Sequence, residues 1–240
     1  MHFSLSGLVY IILMFALGLL TYRFFQYWRD KQDSTSKLFF LFSFSYTIMT
    51  AIRGFFALFF LYNKDILLYS ISLVAFMEAV GAAVVAYLVF FVKFPKISPW
   101  VGFFAMLLYG LSMVYLTTQV PYDVTIGEFG SIDWNYHLDG FTITFSILRA
   151  LLLFLTFIPF MAIIVEQASN AKDIVVKKRS IGLSFILLVA AIIGVVDFII
   201  VSLLRLSIFY RDVVLIFLGV FVFFLVVFTQ KRGVEYRSKV

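Results

Sequence analysis

Four ionisable side chains stand in stretches of sequence that are otherwise apolar: Arg53, Glu78, Arg149 and Asp197. Two positive and two negative groups cancel. In an apolar setting such groups pair to fix helix register, or they hold a charged ligand or a transported ion. Their neighbours follow helical spacing. Tyr46, Thr50 and Arg53 recur at i, i+4 and i+7, and Thr142, Ser146, Arg149 and Thr156 form a similar stripe, so each arginine continues a polar helix face. Glu78 is surrounded by Ala75, Ala79, Gly81, Ala82 and Ala86, small residues that let helices approach closely. Asp197 shares a face with Ala190, Gly194 and Val201, and Arg205 lies two turns further along. Arg53, Glu78, Arg149 and Asp197 are therefore the expected ligand-binding or buried polar layer, lined by Tyr46, Thr50, Thr142, Ser146 and Thr156.

Other chemistries fail on their residues. There is no cysteine, and His2 and His137 make no pair at metal spacing, so neither a metal site nor a cofactor is expected. The apolar run 213–230 has no lysine for a retinal Schiff base, and none of the four prolines is followed by glutamine, as PQ-loop sugar transporters require. Asp197 follows Gly194-Val195-Val196, not the Gly-x-Gly of intramembrane aspartyl proteases, and Gly182-Leu183-Ser184-Phe185 is not a serine-protease site. An enzyme is not expected.

The elements that must position the polar layer are membrane helices. At 63% hydrophobic and 13% charged residues, the chain has too little polar surface for a water-soluble globule. Seven apolar spans cover 5–27, 38–62, 66–92, 100–118, 141–167, 181–206 and 213–230. The expected fold class is all-α: one domain, 1–230, a polytopic bundle of seven transmembrane helices, with a basic tail at 231–240. The longest loop, 119–140, is acidic and aromatic, and its segment VTIGEFGSIDW alternates loosely around two glycines, which suggests a short β-hairpin over the bundle mouth. Trp134, Tyr136, Trp100 and Tyr122 read as an interfacial aromatic belt. Pro159 falls inside the fifth span, where it removes the donor for the Leu155 carbonyl and is expected to kink the helix.

Charge sets the expected orientation. The loops after spans one, three and five and the tail hold fourteen Lys and Arg, against only Lys64 and Arg211 on the other side, so the N-terminus is expected outside and the C-terminus in the cytoplasm. The net charge of +6 is thus a membrane signature; anionic lipids are expected partners and nucleic acid is not. Measured inward along the helices, Arg53, Arg149 and Asp197 lie roughly 12–14 Å below the outer surface and Glu78 about 18 Å. Arg149 with Asp197 and Arg53 with Glu78 are the pairs these depths predict.

The chain resembles the seven-helix N-terminal sensor regions of bacterial and archaeal histidine kinases. The likeness covers nearly the whole chain and rests on layout: a basic turn at Arg29 and Lys31, Leu38-Phe39-Phe40-Leu41 opening span two, and a Phe94-Pro95 break after span three. It implies signal detection within the bilayer or from outside, relayed to a cytoplasmic output module. Only ten residues follow the last span, so output is expected to belong to a protein partner. The expectation is a receptor-like or sensory protein of the plasma or inner membrane that binds a small or lipid-like ligand in the outer half of the bundle. The alternatives are a small transporter or ion channel using the same layer, and a structural subunit of a larger complex.

Overall fold

In the computed structural model, which describes residues 4–136, 139–197 and 207–230, the chain forms seven α-helices and one two-stranded antiparallel sheet. The helices are α1 (Leu5–Lys31), α2 (Ser34–Phe59), α3 (Lys64–Lys93), α4 (Pro99–Gln119), α5 (Gly140–Asn170), α6 (Ile174–Asp197) and α7 (Ile208–Thr229). Strands β1 (Tyr122–Ile126) and β2 (Ile132–Tyr136) lie between α4 and α5. Six helices, all but α6, are long and apolar enough among the described residues to cross a membrane. The chain is a helical membrane protein. Residues 198–206 and the tail 231–240 lie outside the described residues, as does His137.

The helices outrun their apolar cores because capping residues, not hydropathy, end them. Ser4 accepts from the Gly7 N–H, Asp33 from Ser36 and Asn63 from Ile66. Gln32 closes α1 in the left-handed region at φ 56°. Two expected boundaries move in a way that matters below. Helix α2 stops at Phe59, short of position 62, and α7 starts at Ile208, so Arg211 is helical and not part of a loop. Helix α5 runs unbroken through Pro159.

Asp139 caps α5 with a reciprocal box: it accepts from the Thr142 backbone N–H at 2.7 Å, and Thr142 Oγ1 accepts from the Asp139 N–H at 2.9 Å. The Thr142 backbone bond, helped by the threonine hydroxyl, holds the Asp139 carboxyl below its ordinary range.

Helix α1 packs between α2 and α7, α3 packs on α2, α5 reaches α3, and α6 lies between α5 and α7, so six helices close a ring; α4 sits outside it, against α3 and α5. The two halves of this bundle differ. Away from the hairpin, one hydrophobic cluster joins all six ring helices through Leu20, Phe42, Leu88, Phe160, Leu187 and Val222. Towards the hairpin, the apolar clusters among the described residues are one of α1 with α7, one of α2 and α3 with the hairpin, and one of α3 with α4 and α5.

The expected hairpin over the bundle is present, with Val124 opposite Trp134 and Ile126 opposite Ile132. Its tip turns through left-handed Phe129 and Gly130 at φ 53° and 70°. A buried polar clamp fastens it. Arg211 and Asp212, 3% and 1% exposed, pair with each other at 2.8 Å. Ser6 Oγ donates to Asp212 Oδ2 at 2.6 Å and accepts from the Ile132 N–H at 2.8 Å and from Arg211 Nη2 at 3.3 Å. Arg211 Nη2 also donates to the Ile132 carbonyl at 2.8 Å, and Ser4 Oγ to that of Gly130 at 3.1 Å. Every hydrogen-bonding position of the Ser6 hydroxyl is filled. Removing it leaves a buried carboxylate oxygen and a strand N–H without their partner, at about 1–3 kcal/mol per group.

Ser6→Ala is therefore expected to lower unfolding stability in detergent by roughly 2–3 kcal/mol, with amide exchange rising first at Ile132; an unchanged unfolding curve contradicts the clamp. Because the Asp139 carboxyl is depressed, its contribution is full above the unfolded pKa and fades as pH falls through the lower folded value. The stability difference between wild type and Asp139→Ala should thus be greatest near neutrality and shrink below about pH 4, as melting curves across pH would register.

Candidate functional site

Glu78 lies at the middle of α3 and is 6% exposed. A buried carboxylate is costly unless a cation meets it, and Arg149 of α5 does so, with Nη2 donating to Glu78 Oε2 at 3.1 Å. The depths explain the match. Glu78 stands fourteen residues into α3 and Arg149 nine into α5, about 21 and 14 Å along their helices at 1.5 Å per residue. An arginine side chain closes that offset. One turn further, Ala82 packs with Leu152 and Met113, so small residues on α3 bring α5 close enough for the ion pair. On the neighbouring face, Gly110 of α4 lies flush on Ala79, where a Cβ would collide with the alanine.

Tyr46 of α2 completes the layer. Its ring covers Gly81, one turn from Glu78, so closely that a Cβ on Gly81 would lie 2.8 Å from Tyr46 Cε2. The Tyr46 hydroxyl is buried and has no hydrogen-bond partner among the described residues. The same ring enters an aromatic box that bridges α2 and α5: Tyr46 to Phe42 at 4.9 Å, Tyr46 to Phe157 at 5.8 Å, and Phe42 to Phe160 at 4.8 Å. Phe157 and Phe160 flank Pro159, so Tyr46 touches both the ionic layer and the weakest turn of α5.

Arg53 does not pair with Glu78, contrary to the pairing its sequence position predicts. Because α2 ends at Phe59, Arg53 is only six residues from the hairpin end, about 9 Å deep, too far from Glu78 to reach it. Its Nη1 donates to the Tyr10 hydroxyl of α1 at 2.9 Å, and its guanidinium carbon lies 5.4 Å from the Tyr10 ring centroid and 5.3 Å from that of Trp134. Trp134 thus packs between the hairpin and the bundle. Asp197 is the last residue of α6, and its side chain, with the Arg149–Asp197 pairing, lies outside the described residues.

The hydroxyls of the two stripes turn largely inward on their own helices. Thr50 donates to the Tyr46 and Thr47 carbonyls, Ser146 to Thr142 and Thr156 to Leu152. Thr142 serves in the α5 cap. Glu166 bonds Lys93 across the end of the bundle away from the hairpin. The Ser6–Arg211–Asp212 clamp was the group least visible in the sequence: its one signal is an adjacent Arg-Asp pair at the mouth of an apolar run, which reads as loop.

Compared with known proteins, the chain matches no family model, no curated protein and no solved structure.

Arg149→Met alone strands the buried Glu78 carboxylate and is expected to cost about 3 kcal/mol, while the double substitution with Glu78→Met should cost less than Arg149→Met, since a buried pair roughly balances its desolvation. Chemical unfolding of the two single variants and the double variant in detergent provides the test; additive losses contradict direct pairing.

Proposed function

We propose that this chain is a seven-span membrane sensor, with the hairpin outside and the C-terminus in the cytoplasm, that binds a small or lipid-like ligand in the hairpin half of the bundle and signals through a protein partner. The observation that carries this reading is the polar layer of the hairpin half. Away from the hairpin a single hydrophobic cluster spans six helices. The hairpin half carries Arg53, the Glu78–Arg149 pair and a buried Tyr46 hydroxyl that has no hydrogen-bond partner among the described residues. A ligand entering there competes for charged groups and changes which helices they hold together. Tyr46 and the aromatic box carry that change to Phe157 and Phe160, and Pro159 lets α5 move at that turn. The layout shared with histidine-kinase sensor regions agrees with this output.

A transporter or channel is the second reading, favoured by the mid-span position of the Glu78 carboxylate, where intramembrane acids commonly hold transported ions. A structural subunit has less support, because the small-residue faces that would bind other proteins are filled within the chain: Gly81 by Tyr46, Ala79 by Gly110 and Ala82 by Met113 and Leu152.

With no native cysteine, spin labels at Phe59→Cys and Phe141→Cys report the α2–α5 separation without background. A panel of fatty acids, acidic phospholipids and neutral amphiphiles is expected to contain members that shift this distance and raise the unfolding temperature, and Pro159→Ala to blunt the shift while preserving the fold. Proteoliposomes should show no proton, sodium, potassium or chloride flux. Robust flux abolished by Arg149→Ala overturns the sensor reading.

A further inference from the structure

We infer that Arg53 and Trp134 form a carboxylate-binding site beneath the hairpin, and that the ligand's acid group is read there. A guanidinium carries five N–H donors. Arg53 gives one to the Tyr10 hydroxyl, and no acid among the described residues lies within ion-pair reach. The Tyr10 and Trp134 rings, 6.1 Å apart and inclined at 68°, both lie towards one side of the cation and steady it through their faces. Beside it, the Trp134 indole N–H is buried and has no partner among the described residues. Unfilled donors on two adjacent side chains, with a positive charge that meets no acid among the described residues, are complementary to an anion.

The geometry favours a carboxylate. The planar guanidinium fork presents parallel N–H bonds that match a flat two-oxygen group, and with both ring centroids towards one side of the cation, its other side is not covered by them. Arg53 is partly exposed while Tyr10 is buried, so the cation is reachable from one side. Its depth, about 9 Å from the end of α2, is where the head of an amphiphile lies when its chain enters the bilayer. The same chemistry fits a small water-borne carboxylate, and the two sources are separable by experiment.

The inference deepens the sensor reading and rests on it for the meaning of binding, though not for binding itself. Purified full chain in neutral detergent is titrated with oleate, acetate and oleyl alcohol while unfolding temperature and tryptophan fluorescence are followed. Oleate should stabilise the protein and oleyl alcohol should not; acetate acting as strongly as oleate identifies a water-borne source for the same site. Trp134→Phe keeps the ring and removes only the N–H, and is expected to weaken carboxylate binding about three- to tenfold. Arg53→Gln should weaken it more than tenfold, and Arg53→Lys by an intermediate factor. Equal stabilisation by oleate and oleyl alcohol, no stabilisation by either carboxylate, or unchanged binding in Trp134→Phe overturns the site. Binding that leaves the α2–α5 label distance unmoved upholds the site and removes the sensor reading. An amphiphile-driven distance change indifferent to Trp134→Phe does the reverse.

Discussion

A charged group inside an apolar bundle has no water to fall back on, so the protein itself must supply every partner. Three arginines meet this constraint in three ways. Arg149 meets a carboxylate on another helix. Arg211 pairs with the next residue of its own helix and takes a strand carbonyl and a serine hydroxyl. Among the described residues, Arg53 meets a phenol oxygen and two ring faces and no acid. The first two solutions neutralise the charge, whereas the third leaves it positive. Function is more readily sought where neutralisation is incomplete, because a ligand can add the missing acceptor.

The same constraint organises the helix packing. A carboxylate and a guanidinium on different helices meet only if the backbones are near, and Ala82 permits that approach. Gly81 lets the Tyr46 ring lie flat against α3, which buries the phenol beside the ion pair. Small residues and charges are therefore two parts of one arrangement. The solid cluster in the far half holds the six ring helices in register while the hairpin half carries the polar groups.

Much of the bundle was legible in the sequence because long apolar runs separated by basic turns leave few alternatives in a membrane. The hairpin was legible from its glycines and alternation. Arg149, Glu78 and Tyr46 stand out in the sequence as polar groups at helical spacing, whereas the pairing of Glu78 does not. The difference lies in the boundaries: ending α2 at Phe59 instead of position 62 places Arg53 three residues nearer the helix end, about 4.5 Å, and leaves Glu78 to Arg149. The clamp stayed hidden for another reason. Ser4 and Ser6 look like ordinary cap residues, and Arg211-Asp212 looks like a solvated turn; burial arises only when α1, α7 and β2 come together, which no local pattern records.

That clamp also bears on how the protein is made. Ser6 and Asp212 are 206 residues apart, and Ile132 lies between them in the chain. During synthesis α1 and the hairpin emerge long before α7, so Ser6 and the Ile132 backbone must wait with their partners absent until the seventh helix arrives. Contacts of such long range form late. Closure of the Arg211–Asp212 pair onto the waiting serine and strand therefore comes only once α7 is in place, and a chain that ends before α7 lacks the side chains that fasten its hairpin.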